Sequence, residues 1–582
     1  MKILSKLCVA AVIVSSALLS GSAMISTDYN NSMLNVSETM YKSNLSYAPE
    51  IPYSSSLGSV ASSEYEDEIF PQKYDLRDSG IVTPVRSQGD YGTCWAVCAT
   101  ESLETQILKN KYESDIDLSE WHLAYFSYAN NGVVSSVTDN IFRNGGNNTS
   151  AVASLSKWVG AAYEERAPYD SSQTLDESIK FTSDYLVQDV YNVSPWLSSH
   201  KSYSVPFIKK LICDKNAVSV FYNSSKDYYN PDTYSQCCLE TGTEVSHAVL
   251  VVGWDDNYPK ENFLEENRPE NNGAWLIKNS WGEKWGDKGY FWLSYEDRSL
   301  CEAACYFCEP KDTYTNNYYY DDYGWVTSIA ADSAQENLTG YMANIFTAEK
   351  NEKITAVSFY TSEPSAEYEI SVYSDLTNSY SPVKGTEHPS TSGSEEYSGY
   401  HTVKLDTPVQ ISEGRKFSAV VKITNHKSPY TIPVDASVIT TIDGLMYRNI
   451  DSFSLLTNSL SKQSFISADG ANWVDVASRS YTYKYPEFLE IAGNSHKINQ
   501  TIIGNVCVKA FSSSATDPNE GTLTGDLNLD LCIDMEDVII MQRYMFGTNL
   551  SDTEFCEENA DINCDDTINI LDIILLKNMI VS

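Results

Sequence analysis

A cysteine, a histidine and two side-chain amides along this chain have the types needed for nucleophilic hydrolysis. Cys94 opens a stretch with helical spacing, and a helix N-terminus predicts a lowered thiol pKa and hence a reactive thiolate. Gln88 lies six residues earlier, where its amide can join the Cys94 backbone N–H in stabilising an oxyanion. His247 follows Cys94 by 153 residues and is the candidate base, and Asn279, 32 residues further on, would fix its tautomer. Trp281 would shield that histidine–asparagine bond from water.

The elements around these residues indicate a mixed α/β region from Phe70 to about Pro310. Helical periodicity runs from Cys94 to Lys109, and a strongly apolar strand follows His247. Taken singly, a buried cysteine or histidine is usually a packing residue. Gln88, Cys94, His247 and Asn279 occur together and in this order, which indicates a Cys-His-Asn catalytic site.

The local sequence around these residues resembles the papain family of peptidases over about 240 residues. The segments that carry the resemblance are Phe70–Arg77, Val82–Gln88, Asn144–Asn147 and Gly282–Tyr290. The resemblance implies two lobes, one helical and one β-rich, with the active site in the cleft between them. It implies Cys94 as nucleophile, His247 as acid and base, Asn279 as orienting residue and Gln88 as oxyanion donor. It also implies substrate binding by Gly145, Gly146 and Trp281.

The chain departs from the family pattern just before the nucleophile. Tyr91-Gly92-Thr93 stands where the family usually has Cys-Gly-Ser or Cys-Gly-Ala, so one partner of a usual disulfide is missing. The long helical pro-segment of many family members is also missing.

Three further cysteines, Cys301, Cys305 and Cys308, have a spacing that could hold zinc. No fourth ligand is evident, and Cys237 and Cys238 are available for pairing with them. A disulfide or free thiols are therefore the favoured interpretation. Twelve of the 13 cysteines lie beyond the first 23 residues, and disulfides form in oxidising compartments.

The N-terminus has the pattern of an export signal. Lys2 and Lys6 precede a mostly apolar run, Leu7–Leu19, and the small residues Gly21–Ala23 follow it. We expect a signal peptide over 1–23 and a leader or short pro-segment over 24–69; an uncleaved anchor is the alternative. The mature chain is predicted to be secreted, with no transmembrane segment.

Length and charge limit the remaining possibilities. The 582 residues exceed one hydrophobic core, and 42% hydrophobic residues indicate globular domains. A formal net charge of −39 repels phosphate backbones, so nucleic acid is not an expected partner. Divalent cations fit this charge better, because the acid is concentrated after Leu523.

From about Tyr314 to Ser512 the sequence changes to alternating apolar and polar residues. Lys353–Phe359, Tyr368–Val372 and Phe417–Ile423 are predicted strands of a β-sandwich. In the segments Asn317–Asp321, Gly414–Val421 and Gly504–Phe511 the stretch resembles the lectin-like domain that follows papain-type peptidases in some bacterial surface proteins. The resemblance makes carbohydrate a possible ligand. A purely structural sandwich is the alternative, and no binding residue is nominated. We predict a peptidase domain over 70–311, the sandwich over 312–512 and a linker over 513–521.

Two acidic repeats near the C-terminus have the spacing of calcium loops. Oxygen-bearing side chains occupy loop positions 1, 3, 5, 9 and 12 in both, where calcium ligands are expected. The predicted ligands are Asp526, Asn528, Asp530, Asp534 and Asp537 in loop 1, and Asp561, Asn563, Asp565, Asn569 and Asp572 in loop 2. Position 6, usually Gly, is Leu531 in loop 1 and Asp566 in loop 2. Leucine fits the positive φ of this position poorly, so loop 1 is predicted to be distorted or to bind calcium more weakly.

The ending in Asp, the missing entering helix and the duplication resemble a type I dockerin, here over 522–582. The resemblance implies two Ca²⁺ ions and binding to a cohesin domain of a scaffold, as in cellulosomes. Loop positions 10 and 11 set cohesin choice in the family; here they are Met535, Glu536, Ile570 and Leu571. Helices are predicted after the loops, over Val538–Met545 and Ile573–Ile580. A calcium-stabilised domain without a partner is the alternative.

The sequence thus predicts a multidomain fold: an α+β papain-like peptidase with two lobes, a β-sandwich and a small α dockerin with paired EF-hand-like loops. The predicted function is hydrolysis of protein or peptide amide bonds outside the cell, on a cellulosome-like complex at the cell surface or free. No cofactor is expected for catalysis. The alternative is an inactive, scaffold-bound protein that binds carbohydrate or mediates adhesion.

Overall fold

A computed structural model describes most of the chain, with gaps. The described residues are 49–50, 68–129, 145–169, 174–193, 203–241, 243, 245–332, 336–442, 445–446, 459–478, 482–483, 489–491, 494–514, 525, 527, 533, 535–547, 555, 559–563 and 567–581. The predicted signal peptide and most of the predicted leader lie outside them. The chain forms two compact units, residues 1–350 with 354–512 and residues 513–582 with 351–353.

The α-helices of the first unit are short except for the one that begins at Cys94. Side-chain caps start two of them: Asn147 accepts from the Ser150 N–H at 2.8 Å, and Ser204 accepts from the Phe207 N–H at 3.4 Å. The described helices of both units are α1 (Cys94–Asn110), α2 (Glu120–Ala129), α3 (Asn148–Leu155), α4 (Val205–Lys210), α5 (Met535–Met545) and α6 (Ile570–Val581).

Helix α1 confirms the predicted helix but is more buried than one apolar face requires. Every residue from Cys94 to Ile107 is buried, including Glu101 and Glu104. The helix shares a core cluster with residues of the neighbouring strands, so neither side of it faces water. Buried carboxylates are costly unless they are paired, and both of these have cationic partners near the active site.

Strands of the peptidase region form one part of a large mixed sheet. The strand that begins at His247 is central, because it pairs antiparallel with three neighbours, and its residues 247–254 are all buried. Burial on both faces explains the unbroken apolar run seen in the sequence. The strands up to Pro310 are β1 (Pro49–Glu50), β2 (Lys73–Asp75), β3 (Tyr185–Tyr191), β4 (Val218–Tyr222), β5 (Tyr229–Asn230), β6 (Ser235–Gln236), β7 (His247–Asp255), β8 (Ala274–Lys278), β9 (Tyr290–Ser294) and β10 (Cys301–Pro310).

The middle region consists of strands, which confirms the predicted β-sandwich. Its strands are β11 (Asn316–Tyr318), β12 (Thr327–Ile329), β13 (Thr339–Thr347), β14 (Glu352–Thr361), β15 (Ala366–Ser374), β16 (Thr386–Glu387), β17 (Thr391–Glu395), β18 (Gly399–Ile411), β19 (Lys416–Thr424), β20 (Ile432–Ile442), β21 (Leu445–Met446), β22 (Ser464–Ser467), β23 (Val474–Asp475), β24 (Thr482–Tyr483), β25 (Leu489–Ile491), β26 (Asn494–Val506) and β27 (Lys509–Ser514). Strand β27 runs to Ser514, so the first two residues of the predicted linker, 513 and 514, belong to a strand.

One sheet continues across the boundary between the peptidase region and the sandwich. Strand β18 pairs antiparallel with β3, with Gly399 opposite Tyr191 and Tyr400 opposite Val190. A Cβ on Gly399 would lie 2.1 Å from the Val190 carbonyl oxygen, so the close approach of the two strands requires glycine here. Backbone pairing therefore joins two regions that the sequence predicts as separate domains.

The second unit is a small helical domain with its own apolar core. Leu527, Val538, Met541, Ile573 and Leu576 are buried in one cluster that includes residues of α5 and α6. Both helices begin at loop position 10, three residues before the predicted starts, because a helix can begin inside an EF-hand-type loop before the loop closes.

Candidate active site

The nucleophile candidate, Cys94, is the first residue of α1. The Ala248 backbone N–H donates to its Sγ at 3.4 Å, which places the thiol against the start of β7. Its side chain is buried, and burial raises the pKa of the Cys94 thiol, although the Ala248 and helix N-terminal N–H groups oppose this. The lowered pKa predicted from the helix N-terminus alone is therefore wrong for this closed site. Desolvation of the thiolate outweighs the backbone donors.

The base candidate, His247, is the first residue of β7 and bonds to Asn279. Its Nε2 lies 2.8 Å from Asn279 Oδ1, and the same oxygen accepts the Ser280 backbone N–H at 2.8 Å. Since an amide N–H can only donate, this second bond fixes the orientation of the Asn279 amide. An oxygen acceptor requires a proton on Nε2, so Nδ1 of a neutral His247 is left as the basic nitrogen.

The charge state of His247 follows from its burial. Only 4% of the residue is exposed, and desolvation lowers its pKa to about 4, against the effect of the Asn279 hydrogen bond. At neutral pH the imidazole is therefore uncharged and ready to accept a proton. Burial thus favours the neutral forms of both the Cys94 thiol and the His247 imidazole.

Trp281 lies over His247. Its ring stacks on the imidazole with centroids 4.6 Å apart and an interplanar angle of 22°, and Trp285 packs edge-on against it at 4.9 Å. An aromatic cover excludes water from the His247–Asn279 bond, which strengthens it. The stacking therefore fits the shielding role that the sequence predicts for Trp281.

The oxyanion-donor candidate, Gln88, is buried next to Ser280. Ser280 Oγ donates to Gln88 Oε1 at 2.6 Å, and Gln88 Nε2 donates to the Tyr91 carbonyl at 2.5 Å. The Gln88 backbone N–H also donates to the Ser280 carbonyl at 2.9 Å. A glutamine amide has two N–H bonds, so one remains for an oxyanion.

The predicted glycine pair is shaped by Trp95. Gly145 has φ +76°, a left-handed conformation that favours glycine, and a Cβ on Gly146 would lie 2.4 Å from the Trp95 ring. Both positions therefore favour glycine, and their role in substrate binding stays a prediction.

Sequence reasoning missed Ser280, whose contacts connect the two halves of the site. Its backbone N–H bonds Asn279 and its hydroxyl bonds Gln88, so the orienting and oxyanion residues share one neighbour. The signal was available in the Asn-Ser-Trp triplet that the sequence presents around it.

Sequence reasoning also missed a buried ion-pair network behind the site. Lys278 of β8, next to Asn279, pairs with Glu101 at 2.8 Å, and Arg86 pairs with Glu104 at 2.6 Å and with Glu120 at 2.8 Å. Burial raises the pKa of the Glu101 carboxyl, and the Lys278 ammonium opposes this shift. The pairs tie α1 and α2 to β8 and to the segment before Gln88, and so fix the spacing of the catalytic groups.

Apart from Cys94, the described cysteines are buried, except for Cys213, which is half-buried. Cys301, Cys305 and Cys308 lie on β10 and are buried, as are Cys237 and Cys238. No group of three or more metal-ligating side chains occurs among the described residues.

Of the ten predicted calcium ligands, the structure describes five. Asp537 and Asp572, at position 12 of the two loops, are fully buried, and each accepts the backbone N–H of loop position 2: Leu527 at 2.7 Å and Ile562 at 2.9 Å. Asp561 and Asn569 are half-buried, and Asn563 is exposed. Asp526, Asn528, Asp530, Asp534 and Asp565 lie outside the described residues. Two buried carboxylates in matching positions fit a divalent cation in each loop, because buried charge requires a counter-charge.

The predicted cohesin-binding positions lie on exposed helix starts. Met535, Ile570 and Leu571 are more than half exposed, and the Glu536 side chain lies outside the described residues. The structure adds a continuation of this surface along both helices, which the sequence analysis missed. Its members are Ile539 on α5, and Ile574, Leu575 and Met579 on α6.

Residues 70–310 match the family model for the papain family cysteine protease. The chain is 30% identical to mouse cathepsin K over 258 residues, which cover 43% of this chain and 67% of that protein. The chain belongs to the papain family. It is also 31% identical to pro-cathepsin H of Medicago truncatula over 247 residues, 41% of this chain. The match spans 61% of that relative's length.

The other regions match models of their own. Residues 317–512 match the lectin like domain and residues 524–581 the dockerin type I domain. A solved clostridial cysteine protease, a variant of Cwp84 after propeptide cleavage, aligns over 76% of this chain and 99% of its own with 25% identity and a TM-score of 0.60. The protease and lectin-like domains of Cwp84 from Clostridium difficile, a surface layer associated protein, align over 85% of this chain and 98% of their own with 23% identity and a TM-score of 0.61. The papain-like, lectin-like and dockerin architecture predicted from the sequence is confirmed. Among the described helices, none combines the length and apolarity needed to cross a bilayer.

Proposed function

We propose that this chain is a secreted cysteine endopeptidase that cuts proteins or peptides and is tethered by its dockerin to a cohesin-bearing scaffold. The observation that carries the proposal is the hydrogen bond of 2.8 Å between His247 Nε2 and Asn279 Oδ1, with Cys94 Sγ at 3.4 Å from the Ala248 N–H. Family membership and the dockerin match support it. No position of the Cys-His-Asn set is substituted.

The reaction begins with the neutral pair. His247 Nδ1 takes the thiol proton as Cys94 Sγ attacks the substrate carbonyl carbon, and a carbon–sulfur bond forms. The oxyanion is stabilised by the Cys94 backbone N–H and by the free N–H of Gln88. A charged imidazolium is costly in this buried site. The negative charge on the substrate oxyanion and the Asn279 amide oxygen must therefore stabilise it.

Collapse of the tetrahedral intermediate breaks the amide bond. His247 returns its proton to the leaving amine, and a thioester on Cys94 remains. Water, deprotonated by His247, then attacks the thioester and releases the carboxylic acid and the thiol. Gly145 and Gly146 hold the extended substrate backbone, and Trp281 excludes bulk water from the base.

The dockerin supplies the tether. Asp537 and Asp572 would hold one Ca²⁺ each, together with the other predicted loop ligands, and calcium bound there supplies the counter-charge that orders the loops. The exposed Met535, Ile570 and Leu571 form an apolar surface for a cohesin domain. An extracellular place, in a cellulosome-like complex, follows from the predicted signal peptide and this tether. Carbohydrate binding by the sandwich stays a hypothesis without a nominated residue.

The test compares the full mature chain with Cys94→Ala on an unstructured protein substrate, with calcium and a reductant. Cys98→Ala is the matched control, because Cys98 is a second buried thiol one helical turn along α1. We expect at least about a 10³-fold loss for Cys94→Ala, since the nucleophile is removed, and little change for Cys98→Ala. Absence of cleavage by the parent chain after removal of residues 24–69 would favour the inactive binding protein instead.

A further inference from the structure

The loop from Gln88 to Cys94 carries both predicted oxyanion donors. One donor is the Gln88 side chain at its start, and the other is the Cys94 backbone N–H at its end. The spacing between the two ends must be held for both donors to meet one oxygen atom. Tyr91 replaces the family's cysteine inside this loop, so a disulfide cannot hold it from that position.

A hydroxyl from a distant segment connects the two ends instead. Tyr169 Oη lies 2.6 Å from Thr93 Oγ1 and 2.8 Å from the Gln88 carbonyl oxygen. Thr93 is the N-cap residue of α1 but its side chain makes no capping bond. Its hydroxyl is therefore committed to Tyr169 rather than to the helix.

The direction of the two bonds follows from their chemistry. A carbonyl oxygen can only accept, so the Tyr169 proton points to Gln88. The tyrosine oxygen then accepts, and Thr93 donates to it. The result is a chain of two hydrogen bonds: Thr93 donates to Tyr169, and Tyr169 donates to the Gln88 carbonyl.

Packing holds the Tyr169 ring in this position. The ring lies edge-on to the buried Trp121 at 5.5 Å and 73°, and Tyr91 lies edge-on to the same indole at 5.7 Å and 71°. The Tyr169 backbone N–H donates to Glu164 Oε1 at 2.5 Å. Burial raises the pKa of Tyr169 well above its usual value, so the hydroxyl keeps its proton.

We propose that Tyr169 is a positioning residue for the peptidase reaction: its hydroxyl cross-links Gln88 and Thr93 and so holds the two oxyanion donors at a fixed spacing. This rests on the oxyanion role proposed for Gln88. The Tyr169 hydroxyl bonds Thr93 and the Gln88 carbonyl rather than the candidate catalytic side chains. Its contribution appears where negative charge develops on the substrate oxygen, and only weakly in ground-state binding.

The test is Tyr169→Phe in the full mature chain, which keeps the ring against Trp121 and removes only the hydroxyl. We expect kcat to fall about ten-fold with KM within two-fold, because a loosened donor stabilises the transition state less. Inhibition by a peptide aldehyde, whose adduct on Cys94 places an oxygen in the same site, should weaken by a similar factor. Alkylation of Cys94 by iodoacetamide needs no oxyanion donor and should change less than two-fold.

A second variant and a control separate positioning from folding. Thr93→Val removes the donor to Tyr169 and should lower kcat in the same direction, and the double variant should be no worse than Tyr169→Phe alone. Tyr314→Phe is the control. It removes a buried hydroxyl that donates to Gln188 Oε1 at 3.1 Å, and this hydrogen bond does not involve the candidate site. It should leave kcat and aldehyde inhibition unchanged.

The outcomes distinguish this inference from the function on which it rests. If Gln88→Ala loses activity while Tyr169→Phe keeps both kcat and aldehyde affinity, the positioning role is wrong and the oxyanion role stands. If Gln88→Ala keeps full activity, the oxyanion role itself fails. Equal losses of kcat and of the alkylation rate in Tyr169→Phe would show general disorder and would also overturn the inference.

Discussion

The catalytic site and the calcium loops of this chain are built in opposite ways. The candidate catalytic residues Cys94, His247 and Asn279 come together because α1, β7 and β8 pack against one another. Each predicted calcium loop would draw its ligands from 12 consecutive residues, and the helices that follow the two loops share one small core. A site assembled from distant elements depends on the whole fold, whereas a loop site depends on local spacing and on the ion. The two should therefore fail under different treatments.

Calcium removal should abolish cohesin binding by the dockerin and leave the activity of the peptidase unchanged. We expect a chelator to weaken binding to a type I cohesin domain at least about 10³-fold, because ordering of the loops depends on the ion. Cleavage of an unstructured protein should stay within two-fold. All 11 tryptophans lie before residue 513, so tryptophan fluorescence reports the first unit and should not change.

Variants sharpen that result. Asp537→Ala with Asp572→Ala should reproduce the loss of cohesin binding at saturating calcium. Asp552→Ala, an acidic residue between the two loops, is the matched control and should bind like the parent chain. Cohesin binding that survives both the chelator and the double variant would contradict a calcium-dependent dockerin.

Asn279→Ala should damage only the assembled site. Without the amide oxygen the His247 imidazole loses its orientation, and a misplaced base costs about 10²-fold in kcat. Steady-state kinetics of the full chain measure this, with cohesin binding as the internal control. A loss of less than about three-fold would show that Trp281 stacking and burial alone orient the histidine.

Acid should destabilise the first unit through His247. Its pKa of about 4 in the folded state lies below the ordinary value of 6.5, so between these values the unfolded chain binds a proton and the folded chain does not. This contribution is complete above pH 6.5 and is lost as the pH falls toward 4. It amounts to about 3 kcal/mol of unfolding free energy.

Denaturant unfolding followed by tryptophan fluorescence between about pH 4 and 7.5 tests this point. Burial raises the pKa of Glu164 to about 7 and of Asp297 to about 6, which gives these groups the opposite pH dependence. The difference between the parent and His247→Gln cancels them. A pH-independent difference between the two proteins would show that His247 is not held neutral by the fold.

Leu531→Gly should give the smallest effect and acts on a local feature alone. Position 6 of a calcium loop turns sharply with positive φ, which costs a leucine about 1 kcal/mol relative to glycine. We expect about a five-fold gain in calcium affinity at loop 1, measured by calorimetric titration of the full chain. Asp566→Gly is the matched change in loop 2; equal affinity of parent and Leu531→Gly would show that loop 1 adopts another turn.

The sequence by itself determined the order of the papain-like, lectin-like and dockerin regions and nominated the reacting groups. Cys94, His247 and Asn279 are candidates because each stands in a local pattern with a chemical reason, and the calcium ligands are predicted from spacing alone. The starts of α1 and of β7 followed from periodicity and from an apolar run.

Only the tertiary structure decided how those groups behave. The pKa of the Cys94 thiol is raised rather than lowered, because packing removes water, and the sequence carries no measure of desolvation. Tyr169 and Ser280 acquire roles through contacts with Gln88 across 81 and 192 positions of the chain. The pairing of β18 with β3 joins peptidase and sandwich through backbone hydrogen bonds, which any sequence with a glycine at the right place can make. Such long-range contacts arise from packing of the whole chain, and no local pattern of residues encodes them.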